Sequence, residues 1–395
     1  MSHKSTRLWQ RALLLLFAAG LAGWLLSPVG AAWLTPVPAE TFEEEPLLKD
    51  PLPVSTNSRP RMDGVSLTAP PRPVQVGTFP QLKAQTAADW VSVIPYAFCF
   101  PDDPAVHFDA SGQWWGERSE GVVAQVQMAR QQGMRVMLKP HVWVVRGGWI
   151  GEYGFDREED WEQWERAYTR YILRFAQLAD SLDADLFCLS TETERAVRER
   201  PAYWPQLIAA VRKVYDGPLT YAANWDNYQN IPFWRELDYI GIDAYFPLKA
   251  GDELLTQAAK PTSREAGNRP VPKDSEQAAL EALLAAWEPH VQGMVAVQQQ
   301  VGKPVLFTEY GYLSVPGNTW QTWKLENQLD RLPADPVAQR LAYQALYQTF
   351  WTQEWFAGGF LWKWYLDQDS RLKEYDRDYT PQGKEVLGVI RTWYQ

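Results

Sequence analysis

From residue 62 to the C-terminus, short apolar runs of strand length alternate with longer stretches of helical period, eight times over roughly 330 residues. Few architectures accept that order. The expected strands span 64–69, 90–98, 135–142, 185–190, 219–224, 239–244, 304–308 and 359–364. Between them lie helical patterns such as Trp161, Trp164, Tyr168, Tyr171, Phe175 and Leu178, or Leu207, Ile208, Val211, Val214 and Tyr215. Eight strand-helix units predict an α/β chain folded as a (β/α)8 TIM barrel. A doubly wound open sheet is the structural alternative, but no glycine-rich phosphate loop follows the first strand.

Ahead of the barrel, Lys4, Arg7 and Arg11 precede an apolar run over 12–26 and then small residues at 30–32. That order predicts a signal peptide or signal anchor over 1–33, hence an exported protein: periplasmic, extracellular or held to the membrane by this segment alone. Residues 34–61, rich in proline and acid, read as a flexible tether, leaving 62–395 as the catalytic domain. Cys99 and Cys188 each sit in or beside an apolar run, which suits buried free thiols better than a disulfide.

Strand ends on the C-terminal side of such a barrel carry its chemistry. Successive strand residues point to opposite faces, so Val305, Phe307 and Glu309 are expected to share one face, as are Cys188, Ser190 and Glu192. Glu192 and Glu309 then stand across one opening, from strands four and seven. Two facing carboxylates are what glycosidic cleavage requires: one protonates the leaving oxygen, the other attacks the anomeric carbon or activates water. Long connections over 246–273 and 311–333 leave the same face and would shape a cleft.

Other residues converge on that mouth. The third strand, "VMLKPHVWV", offers Lys139, His141 and Trp143, although Lys139 could instead serve only as the partner of an interior acid such as Asp243. Asn224 ends the fifth strand, Tyr245 the sixth, and Trp362 or Trp364 of the eighth could floor a sugar subsite while the other packs in the core. A 14% aromatic fraction with 21 Trp suits the flat faces of sugar rings. Net charge of −10, with no basic block in the body of the chain, argues against nucleic acid. His3, His107, His141 and His290 have no metal-ligand spacing, and HExxH, paired CxxC, P-loop and GxSxG motifs are absent. No metal or cofactor is expected, and the barrel is expected to act as a monomer.

The ordered set "LKPHVWV", "FCLSTE", "YAANWD", "YIGIDAYFPL", "KPVLFTEYGY" and "GGFLWKWY" resembles glycoside hydrolase family 113, whose characterised members are β-mannanases of a retaining (β/α)8 clan. The likeness runs from about residue 62 to the C-terminus. It implies Glu192 as acid/base and Glu309 as nucleophile, with His141, Asn224, Tyr245 and Trp362 lining the sugar site. Many barrels of that wider clan place Asn before the acid/base, where this chain has Thr191, and Asn224 is the substitute expected to reach the 2-hydroxyl. A polysaccharide or oligosaccharide of β-1,4-mannan type is the implied substrate. A β-glucanase of the same clan and a catalytically inactive sugar-binding barrel are the alternatives.

Overall fold

The computed structural model describes residues 61–146, 148–248, 273–367 and 375–395. The expected leader and all but the last residue of the tether lie outside the described residues, as does most of the 246–273 connection. Among the described residues no helix is long and apolar enough to cross a membrane.

Eleven strands occur among these residues: β1 (Met62–Thr68), β2 (Trp90–Val93), β3 (Tyr96–Phe100), β4 (Asp103–His107), β5 (Arg135–Leu138), β6 (His141–Val144), β7 (Leu186–Thr191), β8 (Leu219–Asn224), β9 (Ile240–Asp243), β10 (Val305–Tyr310) and β11 (Phe356–Tyr365). Eight of them close into a barrel in the order β1-β11-β10-β9-β8-β7-β5-β2, every pair parallel. The expected (β/α)8 barrel is therefore the fold.

The interior is filled by Met62, Trp90, Met137, Leu186, Cys188, Ala222, Leu306 and Phe360, which together form one buried cluster. It is a packed core, as such barrels require. β9 contributes Gly241 at this level, and a Cβ there would meet the Tyr221 carbonyl oxygen at 2.1 Å. A larger cluster joins the outer faces of the strands to the surrounding helices. In α3 (Glu158–Ser181) the spacing of Trp161, Trp164, Tyr168, Tyr171 and Phe175 puts all five on the buried face. Burying a side chain such as Phe175 contributes roughly 1.5–3 kcal/mol. Glu158, Glu159 and Asp160 in its first turn complement the helix dipole. Asp335 caps α8 (Pro336–Phe350) by accepting from the Ala338 N–H at 2.9 Å, with proline pre-set at the first helical position.

Two expected strands are each divided in the structure. Residues 90–98 become β2 and β3, and 135–142 become β5 and β6, with breaks at Pro95 and Pro140. Proline has no N–H for the ladder, so the barrel pairing ends there. Beyond the breaks the chain pairs anew, β3 with β6 in parallel and β3 with β4 in antiparallel fashion. This three-stranded sheet, order β4-β3-β6, is separate from the barrel.

The expected parity of β10 is also corrected. Leu306 faces the interior, whereas Val305 and Phe307 belong to the outer cluster. Register shifts between Phe307 and Glu309 against β9, and between Phe307 and Tyr310 against β11, show an irregularity at this point. Such a bulge re-aims the following side chain, so Glu309 turns inward although it shares sequence parity with outward-facing Phe307. β7 behaves similarly. Cys188 faces the interior as expected, but Ser190 receives the Tyr168 hydroxyl of α3 at 2.7 Å, and the register against β8 shifts between Cys188 and Thr191.

Candidate active site

Glu192 lies just past the end of β7 with a left-handed backbone, φ 51°, a conformation uncommon for a residue with a Cβ. Its N–H is held by the Ala222 carbonyl of β8 at 2.8 Å. Glu309, three barrel strands away on β10, is 6% exposed and fixed through its own carbonyl, which accepts the Ala244 N–H at 2.7 Å. Backbone bonds to neighbouring strands thus set both acids.

Around Glu309 the partners come from several elements. Lys139, fully buried at the end of β5, donates to Glu309 Oε1 at 2.6 Å and to Asp243 Oδ1 at 2.9 Å. His141 Nε2 stands 3.3 Å from the same Oε1, and the Tyr245 hydroxyl donates to Oε2 at 2.9 Å. Burial alone would raise the Glu309 pKa, but the Lys139 ammonium and His141 overturn that and hold it at about 2. Burial works against the Lys139 charge, and Asp243 and Glu309 reverse it, leaving Lys139 more basic than a free lysine. Burial pushes His141 below its ordinary value, opposed by its bond to Glu309 and helped by the nearby ammonium.

Glu192 has the opposite surroundings. Burial pushes its pKa up to about 8, with the Asp243 and Glu309 charges adding to the rise. Among the described residues the donor that opposes this rise is the Trp149 indole, whose Nε1–H reaches Oε2 at 2.5 Å. Gly151 makes room for that ring, since a Cβ there would sit 2.5 Å from the Trp149 Cη2 atom. One mouth therefore holds one carboxyl whose pKa is held low beside another whose pKa is pushed up. Such a pair can attack an electrophilic carbon and protonate its leaving oxygen.

Trp362 lies parallel to the His141 ring, with 5° between planes, and Tyr96 meets His141 edge-on at 5.3 Å. From there a cavity of about 860 Å³ opens along the three-stranded sheet, lined by Trp362, Trp143, Phe98, Phe100 and Trp114 among others. Trp143 and Trp114 are 60% and 47% exposed, so their faces are available to a ligand. Trp364, which the sequence groups with Trp362, is 2% exposed and belongs to the outer core. Asn224 ends β8, where its side-chain amide donates to Asp226 at 2.9 Å and its oxygen accepts the Trp225 N–H. The structure thus gathers Lys139, His141 and Tyr245 on Glu309, places Trp143 and Trp362 in the adjoining groove, and leaves Asn224 bonded to Trp225 and Asp226 of its own loop and to Glu194 beyond β7.

Sequence reasoning missed Trp149 as a site residue and named Asp243 only as a partner for Lys139. Asp243 carried a usable signal, a lone acid closing the apolar strand "YIGIDA". Trp149 follows "VVRGG", where no periodicity reports its direction.

The model of Glycoside Hydrolase Family 113 matches residues 78–384. The chain belongs to glycoside hydrolase family 113. It is therefore a glycosidase with a carbohydrate substrate. Solved family 113 structures share the barrel. A β-1,4-mannanase complex aligns with TM-score 0.67 at 23% identity, covering 85% of this chain and 99% of that one. The β-mannanase AaManA from Alicyclobacillus acidocaldarius in complex with ManMIm aligns with TM-score 0.62 at 23% identity, covering 85% and 98%. A Faecalibacterium prausnitzii β-glucuronidase aligns with TM-score 0.53 at 14% identity, covering 85% of this chain and 48% of that one. No curated protein matches the chain.

Proposed function

We propose that this family 113 glycosidase cleaves β-1,4-linked mannan-type polysaccharides or oligosaccharides with retention, through a glycosyl-enzyme ester on Glu309. Glu309 attacks the anomeric carbon while Glu192 gives its proton to the departing oxygen. Glu192, now a carboxylate, then takes a proton from water as that water displaces Glu309. The observation that carries this reading is the split in charge state at one mouth: Lys139, His141 and Tyr245 surround Glu309, whereas burial and like charge keep the proton on Glu192. An inactive sugar-binding barrel has no use for such a split. The mannan preference is supported by the solved relatives described as β-mannanases.

Trp362 provides an aromatic face beside Glu309, and the groove past Trp143 gives further sugars a place to lie. Hydrolysis of mannan, glucomannan, cellulose and short manno-oligosaccharides, with first-formed products resolved by size and by proton NMR, tests the proposal. Mannan-type substrates should be cut fastest and release the β-anomer first. Preferred hydrolysis of cellulose would move the substrate to β-glucan, and an α-anomer appearing first would exclude the ester intermediate.

A further inference from the structure

We propose that Asp243 is a positioning residue: it is the standing counterion of Lys139, keeping that ammonium charged and in place while Glu309 is tied up as an ester. The inference rests on the double-displacement reading above. Its starting point is an imbalance in the cluster. One fully buried ammonium, Lys139 Nζ, bridges two buried carboxylates, Asp243 at 2.9 Å and Glu309 at 2.6 Å, where a single carboxylate would neutralise it.

The chemistry explains the second acid. In the first displacement an Oε of Glu309 bonds to the anomeric carbon. The bond from that carbon to the leaving oxygen breaks with its electron pair, and the leaving oxygen takes the Glu192 proton. Glu309 has then become a neutral ester. Without Asp243, Lys139 would be left with neither of its two bonded carboxylates charged, its charge offset only at longer range by the newly ionised Glu192, which is unfavourable for a buried ammonium. With Asp243 present the ammonium stays paired through the intermediate and is ready to receive the Glu309 carboxylate when water releases it.

Asp243 is built to remain in place. It closes β9 opposite Glu309 in the strand register, is 1% exposed, and accepts the Thr308 hydroxyl at 2.8 Å on the same Oδ1 that holds Lys139. Burial, with the Glu309 charge adding to it, raises its pKa to about 7 against the pull of Lys139, so loss of the Glu309 charge in the ester favours the ionised Asp243 that pairs with Lys139.

The test separates the two displacements in the full-length chain. The probe is 2-deoxy-2-fluoro-β-mannosyl fluoride, or its glucosyl analogue if glucan proves the better substrate. Fluoride leaves without needing the Glu192 proton, and the 2-fluorine slows both steps enough to follow each. In Asp243→Asn, labelling carries Lys139 from a paired to an unpaired state. The labelling rate constant should fall by about tenfold or more, while reactivation is unchanged or faster. Thr308→Val, which keeps the Asp243 charge but removes a donor from it, should move the ratio of the two constants in the same direction by less. It decides the question if Asp243→Asn does not fold. Equal loss in both constants, or an unmoved ratio, would show that Asp243 acts only in the fold and would overturn the proposal. Absence of a label on Glu309 in the wild type would instead sink the double-displacement reading itself, and with it this inference.

Discussion

The Trp149 indole Nε1–H donates to Oε2 of Glu192 at 2.5 Å, joining the loop after β6 to the acid at the end of β7. A donor to a carboxylate stabilises its ionised form, so this bond lowers a pKa that burial pushes up to about 8. The proposed mechanism requires Glu309 ionised and Glu192 protonated. The kcat/KM profile should therefore fall on its alkaline side near pH 8, while its acidic limb lies below the ordinary carboxylate range. Both limbs belong to the coupled cluster of Glu192, Asp243 and Glu309. In Trp149→Phe the opposing donor is gone and the alkaline limb should move to higher pH, by up to about one unit. A limb that stays in place or moves down would contradict this role.

Lys139→Met should be both inactive and unstable. It leaves Asp243 and Glu309 buried together with no cation, and breaking a buried pair in this way costs about 3–5 kcal/mol. Without the lysine both carboxyls have folded pKa values above their unfolded ones. The loss is then present at pH 7 and shrinks as pH falls toward the unfolded carboxyl values near about 4. Urea denaturation at pH 7 and pH 4.5 checks this. An equal loss at both pH values would mean that the lysine stem, and not its charge, stabilises the barrel.

Much of the fold was legible because alternating periods are a property of the whole chain, and the core face of a helix such as α3 repeats often enough to be read. The candidate site was legible where strand ends coincide with a titratable or aromatic residue, as at Glu192, His141, Tyr245, Glu309 and Trp362, which the structure brings to one end of the barrel. Local deviations from period were not. Pro95 and Pro140 are visible in the sequence, yet what they permit, a second sheet pairing β3 with β6, depends on residues 45 positions apart, such as Tyr96 and His141, meeting in space. The bulge that turns Glu309 inward and the left-handed backbone of Glu192 each offset a parity that simple alternation gets wrong or leaves unspecified. Trp149 and Asp243 matter through partners far away in sequence, which no pattern along the chain encodes.

The groove along the three-stranded sheet should be read out by substrate length. Trp143 is 60% exposed there, so Trp143→Ala removes the proposed sugar platform without disturbing the core. KM for longer manno-oligosaccharides should rise roughly three- to tenfold with kcat little changed, whereas an aryl monoglycoside should be unaffected. Equal effects on short and long substrates would place Trp143 outside the binding path.

Glu192→Ala should discriminate between leaving groups. A natural oligosaccharide needs the proton, and its turnover should fall by about 10²- to 10⁴-fold. An aryl glycoside with an acidic phenol does not need it and should lose far less in its first step. Equal losses on both substrates would reassign Glu192 to binding or structure.

Attack of Glu309 on the anomeric carbon, as proposed, is read out by Glu309→Gly assayed on an activated aryl β-mannoside with and without azide. Removing the side chain leaves space for a small anion on the face from which Glu309 would attack. If Glu309 is the nucleophile, the variant is nearly inactive and azide restores it, giving the α-glycosyl azide as the product of a single inversion. An azide-insensitive variant, or a β-glycosyl azide, would contradict it.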